Sequence, residues 1–157
     1  MIILGIDPGT TRIGYGIIKN EHNRLTCLDY GLLDNRGIDR ADIFRRTEKS
    51  LAALIKKYRP AMVGIEKLFF FKNQKTVMAV SEMRGALLLT IARHHLPIQE
   101  FTPLQVKQHV SAYGRADKNQ MQRMVRLILN LKEPIKPDDA ADALAIAICC
   151  THTILSP

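Results

Sequence analysis

MIILGIDPGTTRIGYGIIK, residues 1–19, decides the fold. Its first seven residues are apolar or small except Asp7, and they show no polar face. A short β-rich run of that kind reads as a strand buried on both sides. Pro8-Gly9-Thr10-Thr11 is a turn. Arg12–Lys19 alternates as a second strand does. Glu21–Arg24 turns the chain again, and Leu25–Leu33 reads as a third strand. The three make an antiparallel meander. Asp7 is the discordant residue, a carboxylate closing an apolar strand, where charge needs a neutralising partner.

The chain then changes period. Arg40 to Tyr58 carries Ile43, Leu51, Leu54 and Ile55 as an apolar helical stripe, and Pro60 ends it. Ala61–Glu66 is a short apolar strand, Leu68–Asn73 a loop, Gln74 to His94 a long helix and Pro97–Phe101 a fifth strand. Thr102, Pro103 and Gln105 mark a helix start, with Thr102 as cap, Pro103 in the first turn and Gln105 closing a capping box. That helix ends near Gly114. Another runs from Lys118 to Asn130, Pro134 and Pro137 bracket a loop, and the last helix starts near Asp138. The order βββ-α-β-α-β-α-α-α predicts an α/β fold in one domain over residues 1–157, a five-stranded mixed sheet with helices on both faces.

Composition narrows the partners. The 157 residues carry a net charge of +8, with 46% hydrophobic and 24% charged residues. That is an ordinary globular balance with a basic excess, which favours a polyanion such as nucleic acid or an anionic membrane surface. No apolar stretch is long enough to span a bilayer, and the N-terminus reads as a strand rather than a signal peptide. Cys27, Cys149 and Cys150 are an odd set with an adjacent pair, which suits a reducing cytoplasm. Cys149, Cys150 and His152 read as helix packing rather than as metal ligands.

Three more acids share the setting of Asp7. Glu66 ends AMVGIE, and Asp139 and Asp142 lie in DAADALAIAICC. If the strands ending in Asp7 and Glu66 are parallel neighbours, both carboxylates emerge at one sheet edge, where open α/β sheets bind ligands. Asp139 and Asp142 are three apart, on one face of an otherwise apolar helix. Singly, Asp7 can be a turn residue before Pro-Gly and Glu66 a surface residue; jointly, the four need a common destination. Carboxylates brought together resist ionisation, and divalent cations reverse that cost. Asp138, four residues before Asp142, reads as a helix cap or first-turn acid facing the macrodipole.

GIDPGTTRIGYGII, IEKLFFFKN, QVKQHV, ADKNQMQRMV and DAADALAIAI, in this order along nearly the whole chain, resemble the RuvC family of bacterial Holliday-junction endonucleases. The resemblance implies a ribonuclease-H-like fold, a homodimer, and metal-dependent cutting of four-way DNA junctions in recombination and repair. It places Asp7, Glu66, Asp139 and Asp142 on the catalytic, metal-binding positions, and the D-A-A-D register selects Asp139 over Asp138. It implies two Mg²⁺, with Mn²⁺ a possible substitute, about 3.5–4 Å apart across the scissile phosphate. Asp7, on the central strand, is the expected bridging ligand, with Glu66 and Asp142 on one metal each and Asp139 completing the set.

The same resemblance makes Phe69 a residue that stacks on an unpaired base at the junction centre. Phe70 and Phe71 stay open between core and DNA. Lys72, Lys75, Lys107, Arg115, Lys118, Arg123 and Arg126 are the expected phosphate contacts, Lys107 and Lys118 close to the cut strand. The helix holding Val77, Val80, Ser81, Arg84, Gly85 and Leu88 packs on the sheet or on a second subunit. A branch-migration helicase complex is the implied partner, and the bacterial cytoplasm, at the nucleoid, the implied location. GIDPGTT also resembles the phosphate-binding turn of actin-like ATPases and sugar kinases, but those need two such domains and a second phosphate loop. A junction binder without activity, or another nuclease of the same fold such as a ribonuclease H or transposase, are the other readings.

Overall fold

Five strands form one sheet in the computed structural model, which describes residues 1–67, 76–111 and 114–153. They are β1 (Ile2–Asp7), β2 (Arg12–Glu21), β3 (Arg24–Asp34), β4 (Met62–Glu66) and β5 (Ile98–Phe101), in the order β3-β2-β1-β4-β5. β1 to β3 are the expected antiparallel meander. His22 and Asn23 take positive φ of 49° and 65° between β2 and β3, the left-handed pair that a tight hairpin matched to strand twist requires. β4 joins β1 in parallel and β5 joins β4 in parallel, so the sheet is mixed and β1 is central.

The helices are α1 (Arg40–Tyr58), α2 (Val77–Arg93), α3 (Pro103–Ser111), α4 (Lys118–Ile128) and α5 (Asp138–Thr153). Their order with the strands is the one expected. α2 starts at Val77; Gln74 and Lys75, where the sequence pattern begins it, lie outside the described residues, as does the loop before them. Thr102 and Gln105 form the expected capping box, with Thr102 N donating to Gln105 Oε1 at 2.8 Å and Gln105 N to Thr102 Oγ1 at 3.2 Å. Asp117 and Gln120 form a second one at the start of α4.

Two apolar cores lie on opposite faces of the sheet. Leu4, Ile6, Ile13, Val63 and Ile65 pack with Leu51 and Ile55 of α1 and Met83, Leu87 and Ile91 of α2. Ile3, Ile18 and Met62 pack with α3, α4 and the whole apolar length of α5. Cys149 and Cys150 are fully buried in this second core, and burial pushes both thiols up to about 12, so they serve as small apolar side chains. No described helix is long and apolar enough to cross a membrane.

Candidate active site

The parallel register of β1 and β4 brings two of the four acids together. Ile3 pairs with Met62 and Ile6 with Ile65, and Asp7 and Glu66 stand one step further at the carboxyl edge. Side chains alternate faces along a strand. Leu4, Ile6, Val63 and Ile65 face α1 and α2. Asp7 and Glu66 therefore project with Ile3 and Met62 to the opposite face, the one α5 covers.

α5 reaches that face because the strands beneath it are stripped of side chains. Gly5 pairs with Gly16 on one side and Gly64 on the other, a row of glycines across three central strands. A Cβ at Gly5 would lie 2.0 Å from the Ala143 carbonyl oxygen. At Gly14, the strand partner of Asp7, a Cβ would lie 1.9 Å from the Asp139 carbonyl oxygen. The first turn of α5 is thus seated directly beside the end of β1, and Asp139 and Asp142 arrive at the edge where Asp7 and Glu66 emerge.

The acids interact electrostatically. Burial pushes the Asp7 carboxyl well above its ordinary range, and repulsion from Glu66, Asp142 and Asp139, in that order, pushes the same way against a smaller pull from Lys118. The Asp142 carboxyl is also raised, first by burial; Lys118 opposes this, and Asp139 and Asp138 add to it. Still, among the described residues no three acidic, histidine or cysteine side chains are gathered tightly enough to hold a metal ion as they stand. Asp139 Oδ2 is paired with Arg12 Nη2 at 2.6 Å. Asp138 is held elsewhere, by Lys118 Nζ at 2.9 Å and Gln122 Nε2 at 2.8 Å. These contacts hold its exposed carboxyl below the usual range and raise Lys118.

The expected basic residues divide. Lys118 opens α4 beside the acids. Lys107 is half-buried on α3 and Arg115 lies exposed in the turn before α4. Arg123 and Arg126 line a separate cleft with Asn119, Gln122, Pro134 and Ile135. Phe69, Phe70, Phe71, Lys72 and Lys75 lie outside the described residues. Two further basic residues line the site, and Arg84, expected to pack on the sheet or on a second subunit, meets the end of β4. Arg12 and Lys136 line an open cleft of about 600 Å³ with Lys118, Pro137, Asp138 and Asp139. Arg84 of α2 donates from Nε to the Glu66 carbonyl at 3.2 Å and from Nη2 to Glu100 at 2.6 Å, tying down the end of β4. For Arg12 a sequence signal existed: it opens the strand directly across the turn from Asp7.

The family model described as Crossover junction endodeoxyribonuclease RuvC matches residues 3–150. A curated crossover junction endodeoxyribonuclease RuvC from Alkaliphilus oremlandii is 50% identical over 98% of this chain and 94% of its own. One from Caldanaerobacter subterraneus subsp. tengcongensis is 47% identical over 98% of this chain and 93% of its own. Among solved structures, Thermus thermophilus RuvC in complex with Holliday junction substrate superposes with a TM-score of 0.91 at 30% identity, covering 98% of this chain and 94% of that one.

Proposed function

The chain belongs to the RuvC family of crossover junction endodeoxyribonucleases, and from that premise we propose that it resolves four-way DNA junctions by paired, symmetric nicks in recombination and repair. The fold is ribonuclease-H-like. The observation that carries the catalytic assignment is the convergence of Asp7, Glu66, Asp139 and Asp142 on one sheet face at one edge. A pure DNA binder gains nothing from four carboxylates set where phosphate must approach.

The donor set suits hard divalent cations. All four ligands are carboxylates, which Mg²⁺ or Mn²⁺ accepts together with water and phosphate oxygens. Asp7, on the central strand, would hold such ions together with Glu66, Asp142 and Asp139. Bound there, such cations would supply Lewis acidity toward an attacking water and toward the charge on phosphate and leaving oxygen. The chain's own residues do the rest. Lys118 sets a positive charge beside the acids, and Asp138 with Gln122 fixes its direction. Arg84 fixes the backbone of Glu66.

A homodimer supplies two such sites for two strands of like geometry. α2 supports this, since its inner face seats Met83, Leu87 and Ile91 while Met78 and Leu89 are 71% and 62% exposed and Gly85 has open space above it. Phe69, Lys72, Lys75, Lys107 and Arg115 are the proposed DNA contacts around the site, with Lys118 nearest the cut. Bacterial cytoplasm at the nucleoid and a branch-migration helicase partner complete the reading.

Asp7→Asn tests the catalytic assignment. It should keep junction affinity within about two-fold in band-shift titration while losing at least about a hundred-fold in cleavage rate with Mg²⁺, an estimate set by the several kcal/mol that metal ions contribute to such transition states. Near-normal cutting by this variant would remove Asp7 from the mechanism.

A further inference from the structure

Arg12 and Asp139 form an ion pair that the site does not need once a cation is present. The pair spans 2.6 Å, and its side chains remain 42% and 33% exposed, so neither is locked in by packing. It lies on the wall of the cleft shared with Lys118, Lys136 and Asp138. Asp138 is already engaged by Lys118 and Gln122. Asp34, the cross-strand partner of Arg12, is already engaged by Arg36. If Asp139 turns to another cation, the Arg12 guanidinium is left facing an open basic cleft whose nearby carboxylates are held by other cations. A guanidinium fork fits carboxylate and phosphate equally well, so a phosphodiester is the chemical group that replaces what it loses.

We propose that Arg12 is an exchangeable clamp, paired with Asp139 while the site lacks a divalent cation and transferred to a backbone phosphate of the bound DNA strand, in the Arg12–Lys118–Lys136 cleft, when the cation takes Asp139. The assignment rests on the reading of the site as a metal-dependent junction nuclease. It makes Arg12 a link between cation binding and DNA binding. Two couplings follow. Arg12 competes with the cation for Asp139, so its removal tightens cation binding in the absence of DNA. Arg12 reaches DNA only with the cation bound, so its contribution to DNA affinity is conditional. A permanent phosphate contact has neither property, and a residue that merely orients Asp139 for the metal has the opposite first one.

Both couplings can be read without cleavage. Mn²⁺ binding to the DNA-free protein is followed by the electron paramagnetic resonance signal of free Mn²⁺ in wild type, Arg12→Ala, Arg12→Lys and Asp139→Asn. Arg12→Ala should bind Mn²⁺ about two- to five-fold more tightly, the range an exposed ion pair allows, and Arg12→Lys should fall between it and wild type. In an Asp139→Asn background Arg12→Ala should change nothing. Four-way junction affinity is then measured with Ca²⁺ or with EDTA, checking afterwards that the strands are intact. Arg12→Ala should weaken binding about three- to ten-fold with Ca²⁺ and less than about two-fold with EDTA, as expected for one phosphate contact. Equal weakening in both conditions, or unchanged or weaker Mn²⁺ affinity, overturns the clamp. If wild type itself fails to bind the junction, the reading of the whole site has failed; if wild type binds and Arg12→Ala follows it throughout, only the role of Arg12 has.

Discussion

Asp7 carries a charge that its surroundings oppose. Burial and three neighbouring carboxylates raise its folded pKa above the unfolded value, so the folded protein binds the extra proton between the two. Stability of the cation-free protein therefore falls as pH rises from the ordinary carboxylate range through the raised folded pKa, and the full cost persists above it. Asp7→Asn removes that cost. In EDTA at neutral pH it should raise Tm by a few degrees, at about 2–4 °C per kcal/mol for a chain of this size. The gain should shrink on acidification and vanish below the ordinary carboxylate range. Mg²⁺ should raise the wild-type Tm more than that of the variant. A variant less stable than wild type in EDTA at neutral pH would show that Asp7 is satisfied within the chain. The acids were legible in the sequence because charge at the end of an apolar run is anomalous wherever the chain goes. The partners of Arg12 and Arg84 were not, because an arginine is ordinary at a surface and only the fold shows which carboxylate or carbonyl it meets.

At the scale of elements, the site depends on how closely α5 approaches the sheet. Gly16, Gly5 and Gly64 form the floor, and Gly14 seats the turn that holds Asp139. Gly14→Ala places a methyl against a carbonyl in the helix backbone, which no side-chain rotation relieves. It should destabilise the fold by about 1–3 kcal/mol through overpacking and lower cleavage disproportionately, because the shift is borne by Asp139 and Asp142. Thermal unfolding and cleavage rates on the same preparation check this; a stable variant with wild-type activity would show that α5 tolerates the displacement. The strands and helices were readable from period and punctuation, and their order was correct throughout. The parallel pairing of β1 with β4 was a condition in that reading, and the register supplies it. The glycine row went unread although isolated glycines inside strands signal close approach, because their meaning appears only when three strands are set side by side.

Across the whole molecule, division of labour follows the two faces of the sheet. α1 and α2 close one core, and the outer side of α2 leaves Met78 and Leu89 exposed. α3, α4 and α5 close the other, and Arg12 of β2, Lys118 of α4 and Lys136 before α5 line a basic cleft with Asp138 and Asp139. The net charge of +8 foretold the polyanion, while the choice of a four-way junction came from motifs matched along the chain, since no spacing of acids distinguishes one nuclease of this fold from another. The most direct measurement is strand-resolved cleavage of a four-way junction, each of its four strands labelled in turn, beside plain duplex and an RNA–DNA hybrid, with Mg²⁺ and with EDTA. The expected result is paired nicks at symmetric positions in two opposed strands, only with Mg²⁺, and little cutting of duplex or hybrid. Equal cutting of duplex or hybrid, unpaired nicks, or cleavage persisting in EDTA would contradict the assignment.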